Sequence, residues 1–94
     1  MMTFLLKHPD ATLDYAVDWG ADYLSGETLS SSDWSASPDE PGGVTLASSA
    51  FDSLVATATV SGGKAGSIYR LTNHVTTSDG RDDSRSIMLR VEKR

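Results

Sequence analysis

Ile68-Tyr69-Arg70-Leu71-Thr72-Asn73-His74-Val75-Thr76-Thr77 is followed by the turn Ser78-Asp79-Gly80-Arg81-Asp82-Asp83 and then by Ser86-Ile87-Met88-Leu89-Arg90-Val91-Glu92. In both runs apolar and polar residues alternate. Gly and Asp stand at their ends, and a Gly-rich turn, Ser61-Gly62-Gly63-Lys64-Ala65-Gly66, leads into the first. Period two between such turns predicts a long antiparallel hairpin with one solvated face. That hairpin sets the class for the rest of the chain.

Working back from it, period two recurs almost everywhere. Leu13, Tyr15, Val17 and Trp19 alternate with Asp14, Ala16 and Asp18. The same stretch also places Asp10, Asp14, Asp18 and Asp22 at helical intervals. The unbroken alternation, Gly20 and the aromatic and β-branched content favour a strand over about residues 12–19, then one helical turn at Gly20–Leu24. Thr28–Ser35 is the next strand. Its large apolar residues, Leu29 and Trp34, have opposite parity, which predicts a bulge or bend between them. Ser37–Gly43 is a loop. Val44–Ser48 is a short strand, Ser49–Ser53 a turn, and Leu54–Val60 a strand. A seventh strand comes from Phe4–Lys7 or from the stretch around Phe51. The 94 residues thus read as an all-β, immunoglobulin-like antiparallel β-sandwich of about seven strands, with residues 1–10 as an N-terminal arm or edge strand and 11–94 as the sandwich domain. The arm would cross to a neighbouring subunit, with His8-Pro9-Asp10 as its hinge.

The expected core is Leu13, Tyr15, Val17, Leu29, Trp34, Val44, Leu46, Ala56, Ala58, Val60, Tyr69, Leu71, Val75, Ile87, Leu89 and Val91. Asn73 shares parity with Tyr69 and Leu71, so it should face inward and bond backbone groups. Tyr69, just after a Gly turn at the start of the penultimate strand, is either a tyrosine corner, with its hydroxyl on nearby backbone, or an ordinary core tyrosine.

Composition narrows the function classes. There is no cysteine, hence no disulfide and no thiolate metal site. The apolar start lacks a basic flank and is shorter than a signal-peptide core, and no stretch is long enough to cross a bilayer, so synthesis in the cytoplasm with no membrane partner is expected. The net charge of −5 argues against nucleic acid. Residues 1–60 carry nine acids and one base, residues 61–94 seven bases and four acids. Either the two regions neutralise each other in the folded domain, or the molecule has an acidic and a basic side suited to head-to-tail contact.

Candidate chemistry is sparse. Asp79, Asp82 and Asp83 crowd one turn, as in a calcium loop, but the EF-hand spacing is missing and Arg81 and Arg85 stand among them, so a solvated turn with local ion pairs is the simpler reading. Asp14 and Asp18 share a strand face and lack a cleft for acid–base work. His8 and His74 belong to no nucleophile or zinc motif. Gly62–Ser67 fails as a phosphate loop, because Ala65 follows Lys64, the first glycine of the motif would fall at Ala58, and no helix follows. No catalytic residue, cofactor site or metal site is assigned.

Lys7-His8-Pro9-Asp10-Ala11-Thr12-Leu13-Asp14-Tyr15-Ala16-Val17-Asp18-Trp19, Asp22-Tyr23-Leu24, Thr28-Leu29-Ser30-Ser31-Ser32-Asp33-Trp34, Tyr69–Arg81 and Arg85-Ser86-Ile87 together resemble a family of small tailed-bacteriophage virion structural proteins. These are of the fiber–tail adaptor or head–tail region type, with an immunoglobulin-like fold. His8 departs from the acidic residue expected there. The resemblance implies a non-enzymatic virion protein, a homo-oligomer assembling in several copies at the tail, fiber or head–tail junction and docking other virion proteins. Phe4, Leu5, Leu6, Trp19, Tyr23 and Arg81 are the candidate interface residues; Tyr69, Trp34 and Asn73 are structural. A different class of function is an adhesin-like or carbohydrate-binding module, or a capsid decoration protein, with exposed Trp19, Tyr23 and loop acids holding the ligand.

Overall fold

The computed structural model describes residues 3–21 and 23–93; Asp22 and the Phe4 side chain, which the sequence reading used, lie outside the described residues. Seven strands form in chain order: β1 Thr3–Lys7, β2 Leu13–Asp18, β3 Leu29–Ser37, β4 Val44–Phe51, β5 Val55–Gly62, β6 Ile68–Thr77 and β7 Asp82–Val91. They make two sheets, one ordered β1-β7-β6-β3 and the other β2-β5-β4. The sheets pack their apolar faces together as a β-sandwich with extents of 42 × 20 × 18 Å.

The β6–β7 hairpin is as the alternation predicts. Tyr69, Leu71, Asn73, Val75 and Thr77 are buried, and so are Ile87, Leu89 and Val91 on the paired strand. At the hairpin turn the Thr77 and Gly80 amides close the chain onto Arg81 O and Thr77 O, and Gly80 takes φ +82°, where a side chain would be strained. Before β6 the chain passes Val91 so closely that a Cβ on Gly63 would lie 2.8 Å from Val91 Cγ2.

The expected bulge in β3 is present, as a register shift between Leu29 and Ser31 against β6. β4 carries a second shift, between Leu46 and Ser48, and its pairing with β5 continues to Phe51↔Ala56, where the sequence suggests a turn at residues 49–53. β7 starts at Asp82 because Thr76↔Asp82 and Val75↔Asp83 extend the ladder. One pairing differs from the antiparallel expectation. β1 runs parallel to β7, with Leu5 opposite Leu89 and Lys7 opposite Val91, so the four-stranded sheet is mixed.

The core corrects the expected list at its margins. Leu13 has inward parity but is 41% exposed, because it opens edge strand β2 beyond the cover of the other sheet. Trp34, Val44 and Leu46 are only partly buried against the core, on the side where edge strands β3 and β4 leave the sandwich open. The Trp34 indole N–H and the Tyr15 hydroxyl are buried without a hydrogen-bond partner among the described residues, and burial pushes the Tyr15 phenol up. Trp19, absent from the expected core, is fully buried within it.

Candidate partner interface

The three turns at one end of the sandwich meet around Trp19. The chain leaves β2 through a turn in which the Tyr23 and Leu24 amides donate to Trp19 O. The Trp19 and Gly20 amides donate to Leu54 O in the β4–β5 turn. The indole N–H donates to Asn73 Oδ1 at 2.8 Å, and the Asn73 amide donates to Ser32 Oγ at 2.9 Å and to Asp33 O at 3.1 Å. Asn73 therefore faces inward and bonds backbone, as predicted, and also ties β6 to β3 and to the β2–β3 loop.

Charge is layered over this aromatic floor. Tyr23 stands edge-on to Trp19 at 5.1 Å between ring centroids. The Arg85 guanidinium lies 4.7 Å from the indole centroid and that of Arg81 lies 4.7 Å from the Tyr23 ring, both within cation–π range. Arg81 also clasps Glu27 with two N–H donors, one of them Nε at 3.1 Å from Oε2. The Glu27 side chain is only 3% exposed. The Arg81 bonds, helped by Thr77 and Ser25, hold the Glu27 carboxyl below its usual range, and Glu27 in turn raises Arg81. Sequence reasoning missed this pair. Its partners lie 54 residues apart, and the only local signal is an isolated acid, Glu27, between Gly26 and the start of β3.

At the opposite end Tyr69 has the bonding asked of a tyrosine corner. Its hydroxyl accepts from Lys64 N at 3.1 Å and donates to Glu40 Oε2 at 2.9 Å, joining the Gly-rich turn to the β3–β4 loop. Lys7 is fully buried, and its ammonium donates to Gly62 O at 2.7 Å and His8 O at 3.0 Å, linking β1 of one sheet to the end of β5 in the other.

The candidate interface residues accordingly separate. Trp19, expected to be exposed, is a core residue held by Asn73, and this removes the ring that a sugar-binding surface would need. Tyr23 is half-buried beneath Arg81, and Arg81 is engaged by Glu27. Leu5 packs against the core, whereas Leu6 is 49% exposed. Asp79, Asp82 and Asp83 do not converge: Asp82 accepts from Thr76 Oγ1 and Asp83 from the Ser84 amide, and no group of three ligating side chains comes together among the described residues. His74 is exposed on β6, and His8 Nδ1 accepts from the Asp10 amide.

What the sandwich offers outward is two sheet faces. On the β2–β5–β4 face the register sets Asp14, Thr59 and Ser48 in one row and Ala16, Thr57 and Ala50 in the next, with Asp18 beside Val55. On the other face, Leu6, Arg90 and Ile68 form a row, followed by Met88 and Arg70. Two comparisons bear on which proteins share these features. No curated protein matches the chain. The family model described as Gp77, podophage GP4 fiber-tail adaptor protein gp77, matches residues 7–90. The matched span runs from the buried Lys7 to Arg90 and takes in both closed ends, and with that much of the 94 residues inside it the chain belongs to the podophage GP4 fiber-tail adaptor protein gp77 family.

Proposed function

We propose that the chain is a non-enzymatic structural subunit that assembles in several copies where tail and fiber meet, and that its sandwich is immunoglobulin-like. The observation that carries this reading is the match to the fiber-tail adaptor family over residues 7–90. The family makes the chain a virion structural component that contacts tail and fiber proteins. The strand order supports the finer fold assignment. With the strands lettered A to G in chain order, β2-β5-β4 is B-E-D and β3-β6-β7 is C-F-G, the two sheets of a constant-type immunoglobulin domain. The first strand differs, lying parallel to the last instead of beside the second. The role is docking, with sheet faces and loops meeting neighbours and complementary charge setting orientation; neither nucleic acid nor membrane is among the partners. Many small contacts would sum to a stable joint.

The test is a phage in which this gene carries a stop codon. Particles grown without the protein should lack fibers and regain them when the protein is supplied, and mass spectrometry should find it in purified wild-type tails. Fully fibered particles without the protein would sink the reading.

A further inference from the structure

The two outer faces of the sandwich differ in side-chain length and in charge. The β2–β5–β4 face carries only short side chains, with Asp14 and Asp18 as its charges and no base in the rows that flank them. It measures about 14 Å by 20 Å from strand spacing and rise. The opposite face has an apolar strip at the end nearest the Gly-rich turn, where Leu6 and Ile68 are 49% and 45% exposed and Met88 is half-buried beside them. Arg90 and Arg70 border that strip. Arg90 is bridged to Glu92 at 2.8 Å, and Arg70 makes no ion pair among the described residues.

We infer that the acidic, short-side-chain β2–β5–β4 face of one copy packs on the Leu6–Ile68–Met88 strip of a second copy, with Asp14 and Asp18 set against Arg70 and Arg90. The inference rests on the proposed assembly in several copies and names the surfaces that would build it. The contact is heterologous, since the two patches differ and lie on opposite sides of one domain. Repeated from copy to copy it generates a ring where the rotation closes and a filament where it does not. A face of that size falls short of the roughly 800 Å² per partner of a standard stable interface, so isolated pairs are weak and closure supplies the stability. The short side chains suit the purpose, because they leave room for a strip of leucine, isoleucine and methionine to come into contact.

Sedimentation velocity over a concentration series tests it, with two charge-reversed variants, Asp14→Lys/Asp18→Lys and Arg70→Glu/Arg90→Glu. The wild-type protein should associate with rising concentration and less so in high salt. Each variant alone should weaken association by roughly tenfold or more, and an equimolar mixture should restore it, because the introduced lysines then face the introduced glutamates. Ala16→Arg, an outward change between the two acids, should block association without reversing charge, which keeps the test sharp if a reversed variant folds poorly. A wild type that stays monomeric to about 1 mM, variants that associate as the wild type does, or loss without rescue on mixing would each overturn the pairing. Complementation separates this from failure of the adaptor reading. Virions that incorporate Arg70→Glu/Arg90→Glu at wild-type amounts dispose of the face pairing alone, whereas absence of the wild-type protein from virions disposes of the adaptor role.

Discussion

The two ends of this sandwich are closed by different chemistry. At the Trp19 end a large aromatic is sunk into the core, its N–H satisfied by Asn73, and roofed by arginines, one of which clasps a buried carboxylate. At the Tyr69 end two polar pins, the tyrosine hydroxyl and the Lys7 ammonium, reach backbone groups of a Gly-rich turn. The first end is held by apolar burial reinforced by charge. The second also buries its ring, but its loops are joined by hydrogen bonds, each worth about 1 kcal/mol net. The difference teaches where stability lies. A buried ring roofed by further side chains closes an end more firmly than the polar contacts that stitch two loops.

The largest effect should follow Trp19→Ala. Emptying a fully buried indole site is expected to cost about 3–5 kcal/mol, and it leaves Asn73 Oδ1 without its donor. Urea unfolding would read the loss. A cost under about 1 kcal/mol would erase the contrast between the ends.

Next in size is an acid effect confined to the same end. The Glu27 carboxyl is held down mainly by Arg81, and Asp52 by the Leu54 and Val55 amides. A depressed carboxyl contributes stability that is whole above its unfolded pKa and disappears as pH falls through the folded one. Stability should therefore decline in mild acid, and Glu27→Gln should flatten that decline, leaving a remainder from Asp52. Denaturant midpoints between pH 7 and pH 3 would show it. An unaltered acid slope would place the sensitivity elsewhere.

Why one end was legible in the sequence and the other only in part follows from what alternation can encode. Period two reports which face a residue takes, so β6, β7 and the inward Asn73 were readable, as was the β3 bulge between Leu29 and Trp34. It does not report strand direction, so the parallel β1–β7 pairing was hidden. It also fails where side chains are small on both faces. The Ala47-Ser48-Ser49-Ala50 run carries no parity signal, and there the second bulge and the true end of β4 went unread. Trp19 shows a third limit. Its parity was right, yet as the last member of its alternating run it read as an exposed ring, because the Asn73 that receives its N–H lies 54 residues away. The Tyr69 corner was one of two readings that its place after the Gly turn left open, and the partner that decides it, Lys64, is only five residues upstream.

Tyr69→Phe probes the second end with little change of volume. It strips the Lys64 amide of an acceptor and Glu40 of a donor, for an expected loss of about 1 kcal/mol. Hydrogen exchange should quicken at Lys64 and in the β3–β4 loop while the Trp19 end keeps its protection. Equal loosening at both ends would mean that the two closures act as one unit.

Lys7→Met should have the smallest effect, and it sharpens the contrast most. Burial lowers the Lys7 pKa, outweighing the pull of Asp10. Because the unfolded chain then binds more protons than the folded one, stability should rise with pH between the lowered value and the ordinary lysine value, opposite in sign to the acid loss at the Trp19 end. The ammonium gains two carbonyl acceptors but gives up its hydration, and these terms oppose each other. Methionine fills similar space without that penalty, and the two released carbonyls are the kind of backbone group most often tolerated with fewer bonds. The net change at neutral pH should stay within about 1 kcal/mol, and the alkaline rise should vanish. Unfolding at pH 7 and near pH 10 would separate the outcomes. A loss of several kcal/mol at pH 7 would make the buried cation a strut as firm as Trp19, and the distinction between an end held by volume and an end held by pins would fall.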